Sequence, residues 1–360
     1  MAATFSLFSP SEQSYASVPL ASTSSSPSTS PFDAPLRPDG RLPLEYRDIV
    51  LQTGVSQAQG CLGSSKVTVE DAAGTAGGSV TEILAGVRGE IESIASAGPG
   101  ANASSAPPSA DEGEGGRIVV TLECAPTSLP SLKPELPLQL ASLLSSLFSA
   151  ANLPRSLVSQ LVVLPRSKAW TLYLDVLVLS SAGGNVTDLA VVAARAALAN
   201  VRIPQTRAIG FGTDDGVDDA TTAQGGGASA TELLGGTGAT QDEGFSGLVK
   251  GGKAGSKAVD FELVDGGERG VRLEGWQDLP VSITFNLINQ LPHLDSTALE
   301  SSASPSSLTI STLPSSGRVC GLAQSGEGEI EFARIQGLVR EGVRYGNESA
   351  KSLNVKLRDA

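Results

Sequence analysis

Few side chains in this 360-residue sequence have the types and spacing that catalysis requires. The single histidine, His293, stands in a Leu-Pro-His-Leu stretch with no Cys or Ser beside it. The sequence therefore does not favour a catalytic triad or a histidine metal site. The cysteines at 61, 124 and 320 are far apart and lack CxxC spacing. They indicate a reducing compartment rather than a disulfide framework or a zinc site, and no metal or cofactor is expected.

Glycine-rich stretches are the other candidates for chemistry, because backbone N–H groups in such loops can hold a phosphate. Gly63-Ser64-Ser65-Lys66 comes early in the chain, and we interpret it as a turn. The glycine runs 225–227 and 235–236 lack the strand–loop–helix context of a phosphate loop. Asp175 could be a general base, but we favour a structural carboxylate bonded to backbone or to an arginine. Arg88 is interpreted as a surface or salt-bridge arginine.

The densest core signal runs from Trp170 to Pro204 and predicts a strand, a turn and a helix. Apolar residues alternate at period two from Trp170 to Val178, and the other face is also apolar, so both faces are expected to be covered. Gly183 and Gly184 predict the turn. Asn185 is expected to cap an alanine-rich helix, with Asp188 in its first turn. This pattern predicts a βα unit in a mixed α/β domain.

Composition divides the rest of the chain. Residues 1–36 are rich in Ser and Pro without Lys or Arg, and they predict a disordered tail. Low complexity at 92–116 predicts a swollen loop, and 210–258 is an acidic, glycine-rich insertion. The net charge of −13 argues against a free-standing nucleic-acid binder. No secretory signal or run of ~18 apolar residues is present, so neither secretion nor a membrane partner is expected.

Periodicity predicts the remaining elements. Helices are expected over 138–150 and from Ile330 to about Gly346, the second with Phe332 and Leu338 on its apolar stripe. The segment 157–164 is a strand or a short helix running into one. Strands are predicted at 49–55, 65–70, 81–91, 117–125, 259–264, 271–274, 281–287, 308–313 and 318–323.

Three segments carry a resemblance to the RNase PH family as it occurs in the ring of the eukaryotic RNA exosome. The first is a Trp-Thr-Leu-Tyr-Leu-Asp strand, a Gly-Asn turn and a small-residue helix that ends in Arg-Ile-Pro. The second is the opening Arg-Pro-Asp-Gly-Arg, followed by Tyr46-Arg47, and the third is Leu-Pro-His-Leu-Asp at 291–295. The fingerprint residues are Arg37, Asp39, Gly40, Arg41, Trp170, Asp175, Gly184, Asn185, Asp188 and Pro204.

The resemblance implies an α/β (α+β) RNase PH fold of mixed sheets with packed helices. Residues 37–209 would form a first subdomain with a ribosomal protein S5 domain 2-like βαβ core, and residues 259–360 a second one. It also implies partners: other RNase PH-like subunits in a heterohexameric ring, cap proteins with S1 and KH domains, an associated nuclease and single-stranded RNA. Location in the nucleus, with the nucleolus, and in the cytoplasm would follow.

The residues that phosphorolysis needs in this family are missing from their places. No Gly-Ser-Ser-Arg loop follows the helix at 138–150, where Ala151-Asn152-Leu153-Pro154 stands instead. No acid lies between Glu300 and Glu327, where active members place an aspartate on a strand. The resemblance therefore implies a non-catalytic subunit with no catalytic residue. Arg155, Arg166 and Lys168 form the most basic loop cluster and are candidates for the RNA path, although a surface role is favoured for each.

Two alternatives remain. An active phosphate-dependent 3′-exoribonuclease would release nucleoside diphosphates. A metabolite kinase sharing the first subdomain's fold would need a phosphate loop beside a Ser or Lys, and the sequence shows none.

Overall fold

A computed structural model describes most of the chain outside the low-complexity tracts. The described residues are 8–18, 36–56, 60–70, 78–94, 115–133, 135–165, 167–209, 260–267 and 270–359. The insertion at 210–258, most of the loop at 92–116 and most of residues 1–36 lie outside them.

The first sheet is built around the predicted central strand. Its strands are β1 (Ile49–Thr53), β2 (Cys61–Glu70), β3 (Val80–Ser93), β4 (Arg117–Cys124), β5 (Val162–Leu164) and β6 (Lys168–Ser181). The order is β1-β2-β3-β6-β4, with β5 also on β6. All pairs are antiparallel except β4 with β6, which run parallel. Val67, Ile83, Val87, Leu174 and Val176 fill one face, as the period-two alternation predicts.

The helices of the first half are α1 (Pro10–Ser17), α2 (Leu136–Leu147), α3 (Arg155–Gln160) and α4 (Val186–Ala199). All residues of α4 except Thr187 are buried. Small side chains let it lie close to the sheet: the Ser65 hydroxyl donates to the Ala193 carbonyl at 2.7 Å. The segment at 157–164 is a short helix running into a strand, which confirms one of the two forms predicted for it.

Two short antiparallel ladders connect the halves of the chain. Strand β7 (Arg202–Pro204) pairs with β10 (Gly270–Arg272), and β8 (Thr206–Ile209) pairs with β9 (Asp260–Leu263). In the second ladder Ile209 stands opposite Asp260. The chain therefore leaves and re-enters the fold at one place.

The second sheet is antiparallel and covers the other side of α4. Its strands are β11 (Val281–Ile288), β12 (Leu291–Leu294), β13 (Ser306–Leu313) and β14 (Arg318–Gly326), in the order β12-β11-β13-β14. Helix α5 (Ala298–Ala303) follows β12, and the long α6 (Phe332–Asp359) packs on β11 and β13. Ile283, Phe285, Leu308, Ile310 and Leu338 form the core beneath α6.

Arg195 joins α4 to the second half from inside the protein. Its side chain is fully buried and donates to the carbonyls of Leu279 and Gln277 and to the Asn354 side chain on α6. Burial lowers the pKa of Arg195 to about 10, and nearby Asp278 opposes that shift. The guanidinium thus stays charged at neutral pH.

Four sequence predictions are wrong in detail. Residues 63–66, predicted as a turn, lie within β2 and pair with β3. The outer face of β6, with Tyr173, Asp175 and Leu177, is only half-buried, because α4 covers one side of this sheet. Residues 10–17 form a helix with a Ser9–Glu12 capping box, so that part of the predicted disordered tail is ordered. Helix α6 reaches Asp359, and Phe332 at its start is exposed rather than part of the apolar stripe.

Two glycines let α6 approach the second sheet. A Cβ added at Gly342 would lie 2.7 Å from Ile310 Cδ1 and 3.2 Å from Ile310 Cβ, and one at Gly346 would lie 2.6 Å from Thr312 Oγ1. Gly337 in the same helix has no atom within 4 Å of such a Cβ. Substitution of Gly342 or Gly346 therefore tests the close approach of α6, and Gly337 in the same helix serves as the control.

We expect Gly342→Ala to lower the free energy of unfolding by about 1–3 kcal/mol through overpacking. Gly337→Ala should raise it by up to about 1 kcal/mol, because alanine favours the helix. Urea denaturation of both variants measures the difference. Equal stability of the two would contradict the close packing of α6 on β13.

Candidate functional site

The three segments that carry the family resemblance meet at one buried carboxylate, Asp295. This side chain is 1 % exposed. Its Oδ1 accepts from Arg47 Nη2 at 2.8 Å and from Asn185 Nδ2 at 2.7 Å. Its Oδ2 accepts from Arg47 Nε at 2.9 Å and from Arg41 Nη1 at 3.2 Å. The opening turn, the turn before α4 and the end of β12 are thereby tied together.

Arg37 adds a second carboxylate to this cluster. It is as buried as Asp295 and donates Nε to Glu300 Oε1 at 2.8 Å, with Nη2 on the other Glu300 oxygen. Its Nη1 reaches the Leu294 carbonyl at 2.7 Å. Glu300 also closes the capping box of α5 with Thr297. Arg37 therefore fixes the chain opening to the start of α5.

Asp39 and Arg41 complete the cluster beside Gly40. Arg41 Nε donates to Asp39 Oδ2 at 2.6 Å, and Gly40 has a φ of +82°. Burial would raise the pKa of Asp39, but hydrogen bonds from Arg41 and the charges of Arg41 and Arg37 hold it below its ordinary value. We call Arg37, Asp39, Arg41, Arg47, Asn185, Asp295 and Glu300 the motif network.

The same balance holds Asp295 in its charged form. Burial alone would raise the pKa of Asp295, but bonds from Arg47, the Arg47 charge and the Asn185 amide hold it below the usual value. Asn185 was predicted to cap α4 with its side chain. It does occupy the N-cap position, yet the side chain bonds Asp295 and makes no cap hydrogen bond.

Gly184 brings the turn against the segment that follows Asp295. Its φ is +80°, and a Cβ there would lie 2.5 Å from the Ala298 nitrogen and 2.6 Å from the Ser296 carbonyl. Any larger residue would push the α4 turn away from α5. The Gly183 carbonyl next to it accepts from Arg47 Nη1 at 2.6 Å.

Asp188 lies in the first turn of α4, as predicted, but faces β11. Its Oδ2 accepts from the Thr284 N–H at 3.0 Å and its Oδ1 from the Thr284 hydroxyl at 2.7 Å. Burial and the Asp295 charge together raise the pKa of Asp188 to about 7 against these bonds. The hydroxyl of neighbouring Tyr46 is buried, and burial together with Asp188 and Asp295 raises the pKa of this phenol well above the usual value.

Asp175 pairs with an arginine, as the sequence predicts. Arg88 Nε and Nη2 each lie 3.1 Å from Asp175 Oδ2, and the two side chains are 58% and 43% exposed. Arg88 is thus a salt-bridge arginine on the outer face of the sheet. Trp170 packs in the main core, and Pro204 pairs with Gly270 in the β7–β10 ladder. These fingerprint residues serve the fold rather than the motif network.

The structure describes two of the three RNA-path candidates, Arg155 and Lys168, and Lys168 is engaged by neighbouring side chains. Lys168 Nζ lies 3.1 Å from Asp260 Oδ1 and 4.8 Å from the centre of the Phe261 ring. Arg155 is exposed at the start of α3, and Arg166 lies outside the described residues. Their role in RNA binding stays a prediction.

Metal-binding and membrane features are absent from the part of the chain that the structure describes. It contains no group of three or more His, Cys, Asp and Glu side chains that could hold an ion. His293 is buried in β12, and burial and the nearby Arg37 lower the pKa of its imidazole. None of the described helices is both long and apolar enough to cross a bilayer.

Comparison with known protein families gives a match to one domain. Residues 45–204 match the RNase PH model, described as the 3′ exoribonuclease family, domain 1. This segment matches an RNase PH domain, the family that the sequence motifs also indicate.

Curated relatives then give particular names. A Sulfurisphaera tokodaii protein named exosome complex component Rrp42 is 31% identical over 172 residues, which are 47% of this chain and 53% of that protein. A Dictyostelium discoideum protein named putative exosome complex exonuclease RRP42 is 26% identical over 217 residues, 48% and 61% of the two chains. The chain spans about half the length of the curated relatives it matches.

Solved structures agree on the fold. A chain of the Archaeoglobus fulgidus exosome with RNA bound to the active site superposes with a TM-score of 0.55 at 19% identity, covering 88% of this chain and 92% of that one. An archaeal exosome core chain gives 0.52 at 19% identity, with 89% and 91% covered. The predicted RNase PH fold is confirmed.

Sequence reasoning missed three members of the site. Glu300 was noted only as the last acid before a gap, Arg47 only as part of the opening motif, and Thr284 not at all. A signal existed for Glu300, since Thr297-Ala-Leu-Glu300 has capping-box spacing. The contacts of Arg47 and Thr284 span 248 and 96 residues, and no local pattern indicates them.

Loss of the Asp295 charge should leave the buried Arg47 guanidinium without its counter-charge. We expect Asp295→Asn to lower the free energy of unfolding by about 3–5 kcal/mol, because Arg47 would keep its charge without a carboxylate. The matched control Asp175→Asn breaks an exposed pair and should cost about 0–1 kcal/mol. Denaturant unfolding of both variants tests this, and equal losses would contradict a central role for Asp295.

Asp188 should make stability depend on pH. Its folded pKa of about 7 lies above the unfolded value of 3.8, so the folded state holds the proton more tightly and loses stability as pH rises between those values. Asp188→Asn keeps the protonated shape without titrating. Its stability relative to the native protein should therefore rise by about 2–3 kcal/mol from pH 5 to pH 8. A difference that does not vary with pH would refute this.

Proposed function

We propose that this chain is a non-catalytic ring subunit of an RNA exosome. It would pair with other RNase PH-like subunits in a heterohexamer beneath S1/KH cap proteins. Its work would be to complete the ring and pass single-stranded RNA to an associated nuclease, in rRNA maturation and mRNA turnover. The nucleus with the nucleolus, and the cytoplasm, would be its locations.

One observation carries the proposal: the arginines of the family motif are already engaged by the protein itself. Arg37, Arg41 and Arg47 all bond carboxylates or backbone carbonyls inside the motif network. Phosphorolysis brings two anions together and requires positive charge and N–H donors that remain free for them. A network saturated in this way supports an architectural role.

The second sheet supports the same conclusion. Strand β13, where active members would place an acid, reads Ser306 to Leu313 without Asp or Glu. Its Thr309 hydroxyl lies 3.0 Å from that of Thr284, which bonds Asp188. Hydroxyl pairs of this kind hold sheet and helix together and supply no general acid near neutral pH.

Affinity purification of the tagged full chain from native extract, with the bound proteins identified by mass, tests the ring role. We expect five other RNase PH-like chains in equal amounts, together with cap proteins. A monomer or a homohexamer would overturn the proposal.

Phosphorolysis provides the enzymatic test. Purified chain incubated with oligoadenylate and inorganic phosphate should release no nucleoside diphosphate, while an active RNase PH enzyme in the same buffer does. Phosphate-dependent release would favour the alternative, an active 3′-exoribonuclease, for which the family description is the supporting observation.

A further inference from the structure

Arg202 belongs to a sequence motif that the motif network does not use. It begins the Arg-Ile-Pro that ends the longest segment of family resemblance, and it stands in β7 directly opposite Arg272 in β10. Side chains that are directly opposite in an antiparallel pair extend from the same face, and two like charges there repel each other. We call Arg202 and Arg272 the arginine pair.

Arg272 is held in a fixed position by the ends of two helices. Its Nε donates to the Ala199 carbonyl and its Nη2 to the Leu357 carbonyl, each at 2.7 Å. Its guanidinium carbon lies 4.9 Å from the centre of the Trp276 ring. The remaining nitrogen, Nη1, makes no hydrogen bond to a described residue and is accessible to solvent. Arg272 therefore keeps one oriented donor for a ligand.

No carboxylate neutralises the arginine pair within the described residues. Arg202 is exposed and forms neither a hydrogen bond nor an ion pair with them. Burial and the Arg202 charge both lower the pKa of Arg272, and no carboxylate opposes that shift. The carbonyl ends of α4 and α6 offset one positive charge. The second positive charge is left without compensation.

Acids that are near in the sequence do not change this balance. Glu274 follows β10, where its backbone N–H donates to Gln160, and it forms no ion pair with either arginine. Glu268 and Arg269 precede β10 and lie outside the described residues, and their charges are opposite. The arginine pair is therefore a local site of net positive charge.

The surface beside the arginine pair is small and apolar. Gly270 has no side chain to cover it, and a Cβ there would lie 2.7 Å from Arg202 Cβ. Pro204 stands opposite Gly270. A Cβ at Gly267 would lie 3.3 Å from Leu263 Cδ1 and 3.7 Å from Pro204 Cβ, so these two apolar side chains are neighbours. Leu263 is 40% exposed, and the site thus combines two cations with an apolar strip.

We propose that the arginine pair binds a phosphorylated serine or threonine side chain of a partner protein. A phosphate monoester carries nearly two negative charges at neutral pH and three acceptor oxygens, so it matches two guanidinium groups in charge and in hydrogen bonds. Pro204 and Leu263 fit an apolar residue next to the phosphorylated one, and a free phosphate ion has no such residue.

The position of the site separates it from the motif network. The arginine pair lies at the C-terminal end of the 14-residue α4, about 20 Å along the helix from Asn185. Every residue of the site comes from this chain, so phosphopeptide binding does not require the ring.

Removal of one charge from an uncompensated pair should stabilise the free protein. We expect Arg202→Gln to raise the melting temperature by about 1–3 °C in a phosphate-free buffer of low ionic strength. The matched control Arg207→Gln breaks the pair with Glu262, which stands directly opposite it in the next ladder, and should leave the melting temperature unchanged or slightly lower. If Arg202→Gln gives no rise, the inference is overturned.

Fluorescence anisotropy with the labelled peptide Gly-Ala-phosphoserine-Leu-Ala-Gly tests binding to the full chain. The native protein should bind it at least about tenfold more tightly than the same peptide with unmodified serine, and Arg202→Gln should lose at least about tenfold in affinity. Arg207→Gln should stay within about twofold of the native protein. Equal affinity for the two peptides, or an equal loss in both variants, would overturn the inference.

Competition identifies the source of the phosphate group. Inorganic phosphate and 12-nucleotide oligoadenylate are each added to the bound peptide, at equal concentrations of phosphate groups. We expect each to displace it at least about tenfold less well than the unlabelled phosphopeptide, because one lacks the apolar residue and the other carries a single charge on each phosphate. Displacement by either that equals displacement by the phosphopeptide would overturn the inference.

Discussion

Neutralisation of one buried carboxylate, Asp295, determines how the two halves of this protein meet. A charge in that position is tolerated only if it is paired and fully hydrogen-bonded. Arg47 and Arg41 come from the start of the fold, and Asn185 comes from the turn before α4. Each of these side chains donates its own hydrogen bond to the carboxylate. The hydrogen bonds of Asp295 are therefore complete only when all of these segments are in place.

The consequence extends into α4. The turn before it must stay close to the start of α5, which only Gly184 allows, and its Asp188 then meets Thr284 on β11. At the other end of the helix, Arg272 donates to the carbonyls of Ala199 and Leu357, the last turns of α4 and α6. A positive charge at two helix C-termini is favourable. The central helix is thus held by ionic groups at one end and by a shared cap at the other.

Local patterns in the sequence predict the elements that depend on local physics. Alternation over Trp170–Val178 indicates β6, and the small residues after Asn185 indicate α4, because side-chain periodicity directly reflects which face is buried. Whether another layer covers the outer face of β6 could not be predicted in this way. Tyr173 and Leu177 are apolar whether a layer covers them or not, so periodicity could not establish that this face lies open here.

The motif network was partly recognisable as a set of motifs, but its geometry was not. Arg37 and Glu300 are separated by 263 residues, and no composition or spacing indicates that they touch. Helix α1 was missed for the opposite reason. Its Ser9–Glu12 capping box is a local signal, but it is embedded in Ser- and Pro-rich sequence whose average composition predicts disorder.

The β8–β9 ladder has a consequence for how this protein tolerates added sequence. Because Ile209 pairs with Asp260, the ends of the 210–259 segment are fixed a strand-width apart by folded structure on both sides. Closing a longer chain between fixed points costs little, about 0.6 kcal/mol for each doubling of its length. The ladder therefore fixes where this segment begins and ends, and loop-closure entropy alone sets little limit on its length.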